Sequence, residues 1–194
     1  TSRGCPGNCT FCTAKFAHGK RFRCRRAANV VDEIELLISE YNAAEIHIWD
    51  DNFITNRKRV FAVKDEIKRR KIKCLFAFPN GIRADFINRE ILQALKDMGT
   101  YSVAIGVESG NQDILDRIQK GIKLEQIENA FKIAKSLDLE TWGFFLLGLP
   151  GENEKTINQT IDFAIKLDPD IAKFHLLKPY PKSEIYNELK SLGM

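Results

Sequence analysis

The chain has 194 residues, of which 44% are hydrophobic and 29% charged, and its formal net charge is +4. A chain of this length can bury a sizeable core as one domain without disulfide staples. It contains no run of roughly 18 apolar residues, as a membrane span requires, and it does not begin with the basic and apolar regions of a secretory signal. We therefore expect a single domain over residues 1–194, no membrane span and a cytoplasmic location.

From residue 30 onward, short runs of β-branched and aromatic residues alternate with stretches of helical period. The predicted helices cover residues 30–41 with Asn29 as N-cap, 56–70, 89–98, 124–136, 154–167 and 185–192, with a short helical turn at 113–118. The predicted strands cover residues 45–49, 73–78, 101–107, 141–147 and 171–177. The strands start about 30 residues apart, which is the length of one βα unit and predicts a parallel α/β sheet.

Unusual polar and glycine-rich segments follow several of these strands. Asp50 and Asp51 follow the first, Glu108 and Ser109 follow the third, and the GLPGE segment at residues 148–152 follows the fourth. The C-terminal ends of parallel strands carry the sites of both barrels and open α/β sheets. We expect the functional site at this edge, although periodicity does not choose between a barrel and a doubly wound sheet.

Three of the five cysteines, Cys5, Cys9 and Cys12, lie within eight positions, which is a metal-site distribution rather than a disulfide framework. Thiolates select zinc, copper or iron–sulfur clusters. His18 could complete a zinc site, but such sites are usually built from two knuckles and the sequence has one. A 4Fe–4S cluster held by three cysteines leaves one iron without a protein ligand, and that iron is a place for chemistry.

The spacing Cys5-x3-Cys9-x2-Cys12, with Phe11 just before the last cysteine, resembles the signature of the radical S-adenosylmethionine (SAM) superfamily. The segments WDDNF, GVESGNQDIL, FLLGLPGE, LDPD and PYPKSEIY resemble the branch that often carries an N-terminal cobalamin-binding domain, although Lys182 replaces the glycine usual in the last segment. The resemblance implies an α/β fold, a partial (β/α)6 TIM-like barrel of parallel strands. Its first strand would be truncated, so we expect residues 1–194 to be a radical SAM core excised from a longer protein.

The resemblance also implies roles for individual residues. The implied cluster ligands, which are also the catalytic residues, are Cys5, Cys9 and Cys12. The implied SAM contacts are Phe11 beside the adenine, Asp50 and Asp51 at the amino group, Glu108 and Ser109 at the ribose or methionine portion, Lys120 at the carboxylate, and Gly148 near the adenine. Considered without the resemblance, these residues also suit structural roles: Phe11 in the core, Ser109 as a helix cap and Gly148 in a turn. For Lys120, exposure to solvent is the favoured prediction.

The resemblance implies that the reduced 4Fe–4S cluster cleaves SAM to a 5′-deoxyadenosyl radical for hydrogen abstraction. We expect methylation or rearrangement of a small molecule, associated with cobalamin through a domain outside this chain. The alternatives are a methylthiotransferase acting on tRNA or protein and an iron–sulfur electron-transfer protein. The basic segment at residues 19–26 can attract an acidic redox partner, bind RNA or be solvated. We expect a flavodoxin or ferredoxin as electron donor and no nucleic-acid partner, and the sequence does not name the substrate.

Overall fold

A computed structural model describes residues 1–193, so Met194, the last residue of the predicted domain, lies outside the described residues. The strands are β1 (Ser2–Arg3), β2 (Arg23–Cys24), β3 (Glu45–His47), β4 (Leu75–Ile82), β5 (Thr100–Glu108), β6 (Glu140–Leu147) and β7 (Ile171–Leu176). The α-helices are α1 (Ala14–Ala17), α2 (Ala27–Tyr41), α3 (Arg57–Arg69), α4 (Arg89–Asp97), α5 (Gln112–Arg117), α6 (Leu124–Ser136), α7 (Glu154–Leu167) and α8 (Glu184–Ser191). Within residues 1–193 we find no helix with the length and apolar character needed to cross a membrane.

The strands β3 to β7 form one parallel sheet in which every strand pairs with the next one along the chain. A doubly wound sheet reverses its strand order at a switch point, whereas the wall of a barrel keeps the sequential order. The order β3-β4-β5-β6-β7 therefore confirms a partial TIM-like barrel. It also resolves the choice that hydrophobic periodicity left open.

The core lies between the sheet and its helices. Successive residues of a strand face opposite sides, so Val103, Ile105 and Val107 of β5 point toward the helices, where they are fully buried. The alternate residues Ala104 and Gly106 face the concave side, opposite Trp142 and Phe144 of β6. The concave side and the C-terminal ends of the strands are therefore left for the site.

Two element boundaries differ from the prediction by three residues or more. The prediction that Asn29 caps the first long helix is wrong, because α2 begins at Ala27 and places Asn29 inside its first turn. Alanine is the strongest helix former, so residues 27 and 28 extend the helix toward its N-terminus. Strand β4 continues to Ile82 through a break in register after Phe78, an irregularity that a proline at residue 79 hides from pattern reading.

The sequence predicts that residues 1–3 are the end of a truncated first barrel strand. In the structure Ser2 pairs with Cys24, and Arg3 pairs with Arg23, in a two-stranded antiparallel ribbon separate from the five-stranded sheet. The ribbon brings residues 1–3 to the C-terminal end of β3. It thereby sets the starting point of the loop that carries the three cysteines.

Candidate functional site

The cysteine loop, residues 4–13, connects β1 to α1. Its three cysteines are free thiols that line one pocket. Among residues 1–193 no three His, Cys, Asp or Glu side chains lie close enough to share a single metal ion. That finding concerns one ion, whereas a cubane cluster offers a separate iron to each thiolate. The donor set therefore fits a 4Fe–4S cluster with three protein ligands.

The middle of the cysteine loop is braced by two helices. The Thr10 amide donates a hydrogen bond of 3.0 Å to the Ile118 carbonyl at the end of α5, and the Thr10 carbonyl accepts one of 3.2 Å from the Ile185 amide in α8. Burial raises the pKa of the Cys12 thiol, and the nearby Cys9 raises it further. Metal binding requires the thiolate, so we expect the iron itself to offset this cost of ionisation.

Asp50 and Asp51 both engage the N-terminal segment. The Asp51 carboxylate accepts from the Gly4 amide at 2.8 Å and lies 2.9 Å from His18 Nδ1, so it joins the start of the cysteine loop to the residue after α1. The Asp50 carboxylate is buried and accepts a hydrogen bond from the Ser2 hydroxyl. Neither aspartate lines the cavity described below, and their contact with the SAM amino group stays a prediction.

Glu108 and Lys120 form a buried ion pair at the end of β5. Lys120 Nζ donates to Glu108 Oε1 at 2.6 Å, and a Cβ on Gly106 would lie 2.8 Å from that oxygen, so glycine leaves room for the pair in its present position. Glu108 has φ 68°, a left-handed conformation that a non-glycine residue rarely adopts. The expectation that Lys120 is exposed is wrong, because the carboxylate offsets the cost of burying its ammonium.

Electrostatics keep Lys120 charged. Burial by itself lowers the pKa of the ammonium, but the Glu108 carboxylate and the Cys9 sulfur raise it more, and the net pKa lies above the ordinary value. A fixed positive charge therefore stands between Glu108 and the cysteine loop. This is consistent with the predicted role of Lys120 beside an anionic group of SAM, a role that stays a prediction.

Arg83, which follows β4, was missed by sequence reasoning. Its Nη1 lies 3.6 Å from Cys9 Sγ, its Nη2 donates to the Lys120 carbonyl at 2.8 Å, and its Nε and Nη2 each lie 3.0 Å from an oxygen of Asp85. Burial lowers the pKa of this guanidinium, but the Asp85 carboxylate raises it more. Sequence reasoning missed it because the predicted strand ended at residue 78, whereas β4 continues to Ile82, the residue before Arg83.

A cavity of about 570 Å³ opens beside the cysteine loop at the ends of β5, β6 and β7. It is lined by Phe11, Glu108, Phe144, Phe145, Leu146, Phe174, His175, Leu176, Leu177, Lys178 and Tyr180. Apolar walls with a few polar groups are typical of small-molecule sites. A cavity of about 630 Å³ lies between the β1–β2 ribbon, α2 and β3, and it contains none of the predicted site residues. We therefore assign the site to the cavity that holds Phe11 and Glu108.

Ser109 and Gly148 lie outside the lining of this cavity. Ser109 is fully buried, and its hydroxyl lies 3.1 Å from that of Thr160 in α7, while Asn111 rather than Ser109 caps α5. Gly148 has φ 85°, and a Cβ on it would lie 3.9 Å from Leu177, a cavity residue. Gly148 is thus at the rim, and Ser109 joins the barrel wall to a helix. The predicted SAM contacts of both remain predictions.

The fold and the loop together define a class of protein, a partial barrel with three free cysteines and a largely apolar cavity at the C-terminal edge of its sheet. The family model described as "Radical SAM superfamily" matches residues 1–164. The chain therefore belongs to the radical SAM superfamily. Membership implies a 4Fe–4S cluster and SAM as cofactors, which the sequence resemblance had predicted.

Two curated relatives are methyltransferases by description. The chain is 37% identical over 186 residues to an uncharacterized methyltransferase of Pyrococcus horikoshii, covering 96% of this chain and 40% of the relative. It is 32% identical over 195 residues to the cytidylyl-2-hydroxyethylphosphonate methyltransferase of Streptomyces wedmorensis, covering 97% of this chain and 36% of the relative. The chain thus spans well under half the length of these relatives.

A solved structure supports the fold. The radical SAM methyltransferase TsrM from Kitasatospora setae, solved with cobalamin and a 4Fe–4S cluster bound, superposes with a TM-score of 0.90 over 99% of this chain and 36% of that chain. Sequence identity is 22%, so this similarity concerns the fold alone. It confirms the partial barrel.

Proposed function

We propose that the chain is the radical SAM core domain of a cobalamin-associated enzyme that methylates or rearranges a small molecule. The observation that carries the proposal is the juxtaposition of three free cysteines with a cavity lined by aromatic residues and a buried carboxylate. The methyltransferase descriptions of relatives aligned over nearly the whole chain support the reaction class. The association with cobalamin is proposed by analogy with TsrM, which has the same fold and was solved with cobalamin bound.

The cysteine loop has the task of holding the cluster. Cys5, Cys9 and Cys12 supply three thiolates, and the bracing of Thr10 by two helices fixes the loop before the cofactors bind. When bound, the cluster and SAM supply the 5′-deoxyadenosyl radical. The protein must then orient the methionine and adenosine portions and keep water from the radical.

Different cavity residues would bind different parts of SAM and the substrate. Phe11 presents an aromatic face where we place the adenine, and Glu108 offers carboxylate oxygens to the hydroxyl or amino groups of SAM. Phe144 and His175, whose ring centres lie 6.2 Å apart in an edge-on arrangement, form the wall that faces the substrate. The cavity volume of about 570 Å³ suits a small molecule rather than a folded partner.

An electron donor is also required, and we propose a flavodoxin or ferredoxin in the cytoplasm. Arginine side chains of the basic segment at residues 19–26 are exposed beside the cysteine loop, where they can attract an acidic protein. The five free thiols suit a reducing compartment.

The test uses the full-length protein, reconstituted anaerobically with iron, sulfide and cobalamin and then reduced in the presence of SAM. We expect SAM-dependent formation of 5′-deoxyadenosine or of a methylated product. Cys9→Ala should abolish it, whereas the matched control Cys24→Ala, at an exposed cysteine outside the loop, should not. A fully loaded protein that forms neither product contradicts the proposal. Transfer of a methylthio group, seen by product mass, or tight and salt-sensitive tRNA binding favours the methylthiotransferase alternative.

A further inference from the structure

Arg83 occupies a place that the proposed chemistry does not explain. It lies outside the lining of the substrate cavity, yet its Nη1 is 3.6 Å from the sulfur of Cys9. We propose that Arg83 raises the reduction potential of the cluster by donating a charged hydrogen bond to the Cys9 sulfur. This inference rests on the proposed assignment of Cys9 as a cluster ligand.

Two groups hold the guanidinium in place. Asp85 accepts from Nε and Nη2 at 3.0 Å each, which is a bidentate pair, and the Lys120 carbonyl accepts from Nη2 at 2.8 Å. These contacts leave Nη1 as the nitrogen directed at the sulfur. The planar fork of arginine makes this set of contacts possible, whereas the single ammonium of lysine does not reproduce it.

The backbone of the cysteine loop makes room for Arg83. A Cβ on Gly7 would lie 2.9 Å from Arg83 Nη1 and 3.4 Å from Cys5 Sγ. The guanidinium therefore packs directly on the loop at Gly7, close to two of the three cysteines. A side chain at this position would displace Arg83 from the Cys9 sulfur.

The positive charge of Arg83 would affect the reduction potential of the cluster. Reduction adds an electron to the cluster, so a cation at a sulfur ligand stabilises the reduced state more than the oxidised state. Hydrogen bonds to the sulfurs and the net charge around a cluster are among the determinants of its potential. Because the Arg83 side chain is 13% exposed, water screens its charge little.

The experiment compares wild type, Arg83→Gln, Arg83→Lys and Gly7→Ala after anaerobic reconstitution of the full-length protein. Iron content is measured first, and the midpoint potential is then read from a redox titration followed by electron paramagnetic resonance, without any turnover. The control is Arg89→Gln, an exposed arginine that donates to Ser136 on the helical side.

We expect Arg83→Gln to retain the cluster and to shift the midpoint potential to more negative values, with a smaller shift for Arg83→Lys. Gly7→Ala should shift the potential in the same direction, and Arg89→Gln should leave it unchanged. An unchanged midpoint potential in an Arg83→Gln variant that contains the cluster overturns the inference. Loss of iron from both Arg83 variants, with an intact circular dichroism spectrum, also overturns it, because Arg83 would then be needed to hold the cysteine loop. A wild-type protein that binds no cluster overturns the proposed function itself.

Discussion

Replacing Lys120 with methionine tests the buried ion pair at the end of β5. The side chains of Lys120 and Glu108 are 6% and 11% exposed, and their charged atoms lie 2.6 Å apart. Methionine removes the ammonium and leaves the carboxylate buried without its partner. Breaking a buried pair in this way destabilises a protein by about 3–5 kcal/mol. At about 2–4 °C per kcal/mol for a domain of this size, the melting temperature should fall by about 6–20 °C.

The assays are urea unfolding and thermal unfolding of the cluster-free protein at neutral pH, both followed by circular dichroism. The double variant Lys120→Met/Glu108→Gln should recover most of the loss, because no uncompensated charge remains. The control Lys123→Met breaks an exposed pair with Asp116 and should cost less than about 1 kcal/mol. A loss below about 1 kcal/mol for Lys120→Met, or a double variant no more stable than the single one, would refute the reasoning.

Three further predictions concern packing, ionisation and the cysteine loop. Gly110→Ala places a Cβ 2.5 Å from the Cβ of Phe163, so its free energy of unfolding should fall by about 1–3 kcal/mol in urea; unchanged stability contradicts this contact. The hydrogen bond to Glu45 raises the pKa of Tyr101 to about 12, so this contact should be lost as pH rises through that value. Glu45→Gln should lower the pKa of Tyr101 measured by ultraviolet titration, and identical titration curves for the two proteins would contradict this prediction. Asp51→Ala removes an acceptor at the start of the cysteine loop, so the reconstituted variant should release iron to a chelator faster than wild type, and equal rates would show that the loop does not need this anchor.

Much of the fold was predictable because its strands are continuous apolar runs and its helices are amphipathic. Burial on both faces marks Val103 and its neighbours in β5, and the regular spacing of such runs indicates parallel βα units. The start of α2 was not predictable to the residue, because helix propensity at Ala27 outweighed the capping preference of Asn29. Strand order depends on contacts between distant segments, so hydrophobic periodicity did not predict the barrel, and only the resemblance to the radical SAM superfamily did.

The site was predictable in part. The spacing of the cysteines and the position of Glu108 at the C-terminal end of β5 identified the edge of the sheet that carries the site. The burial of Lys120 was not visible, because it depends on the room that Gly106 leaves. The hydrogen bond that the Gly4 amide donates to Asp51 joins residues 47 apart, and local sequence patterns do not predict such a contact.

The central claim is that the cysteine loop holds a cluster with one iron open to SAM. Its most direct test is the electron paramagnetic resonance spectrum of the reduced, reconstituted protein before and after addition of SAM, together with iron analysis. The account predicts about four irons per chain, a spectrum that changes when SAM is added, and loss of both in Cys9→Ala. A cluster-containing wild-type protein whose spectrum does not change on addition of SAM would contradict the claim. A Cys9→Ala variant that keeps its full iron content would contradict it as well.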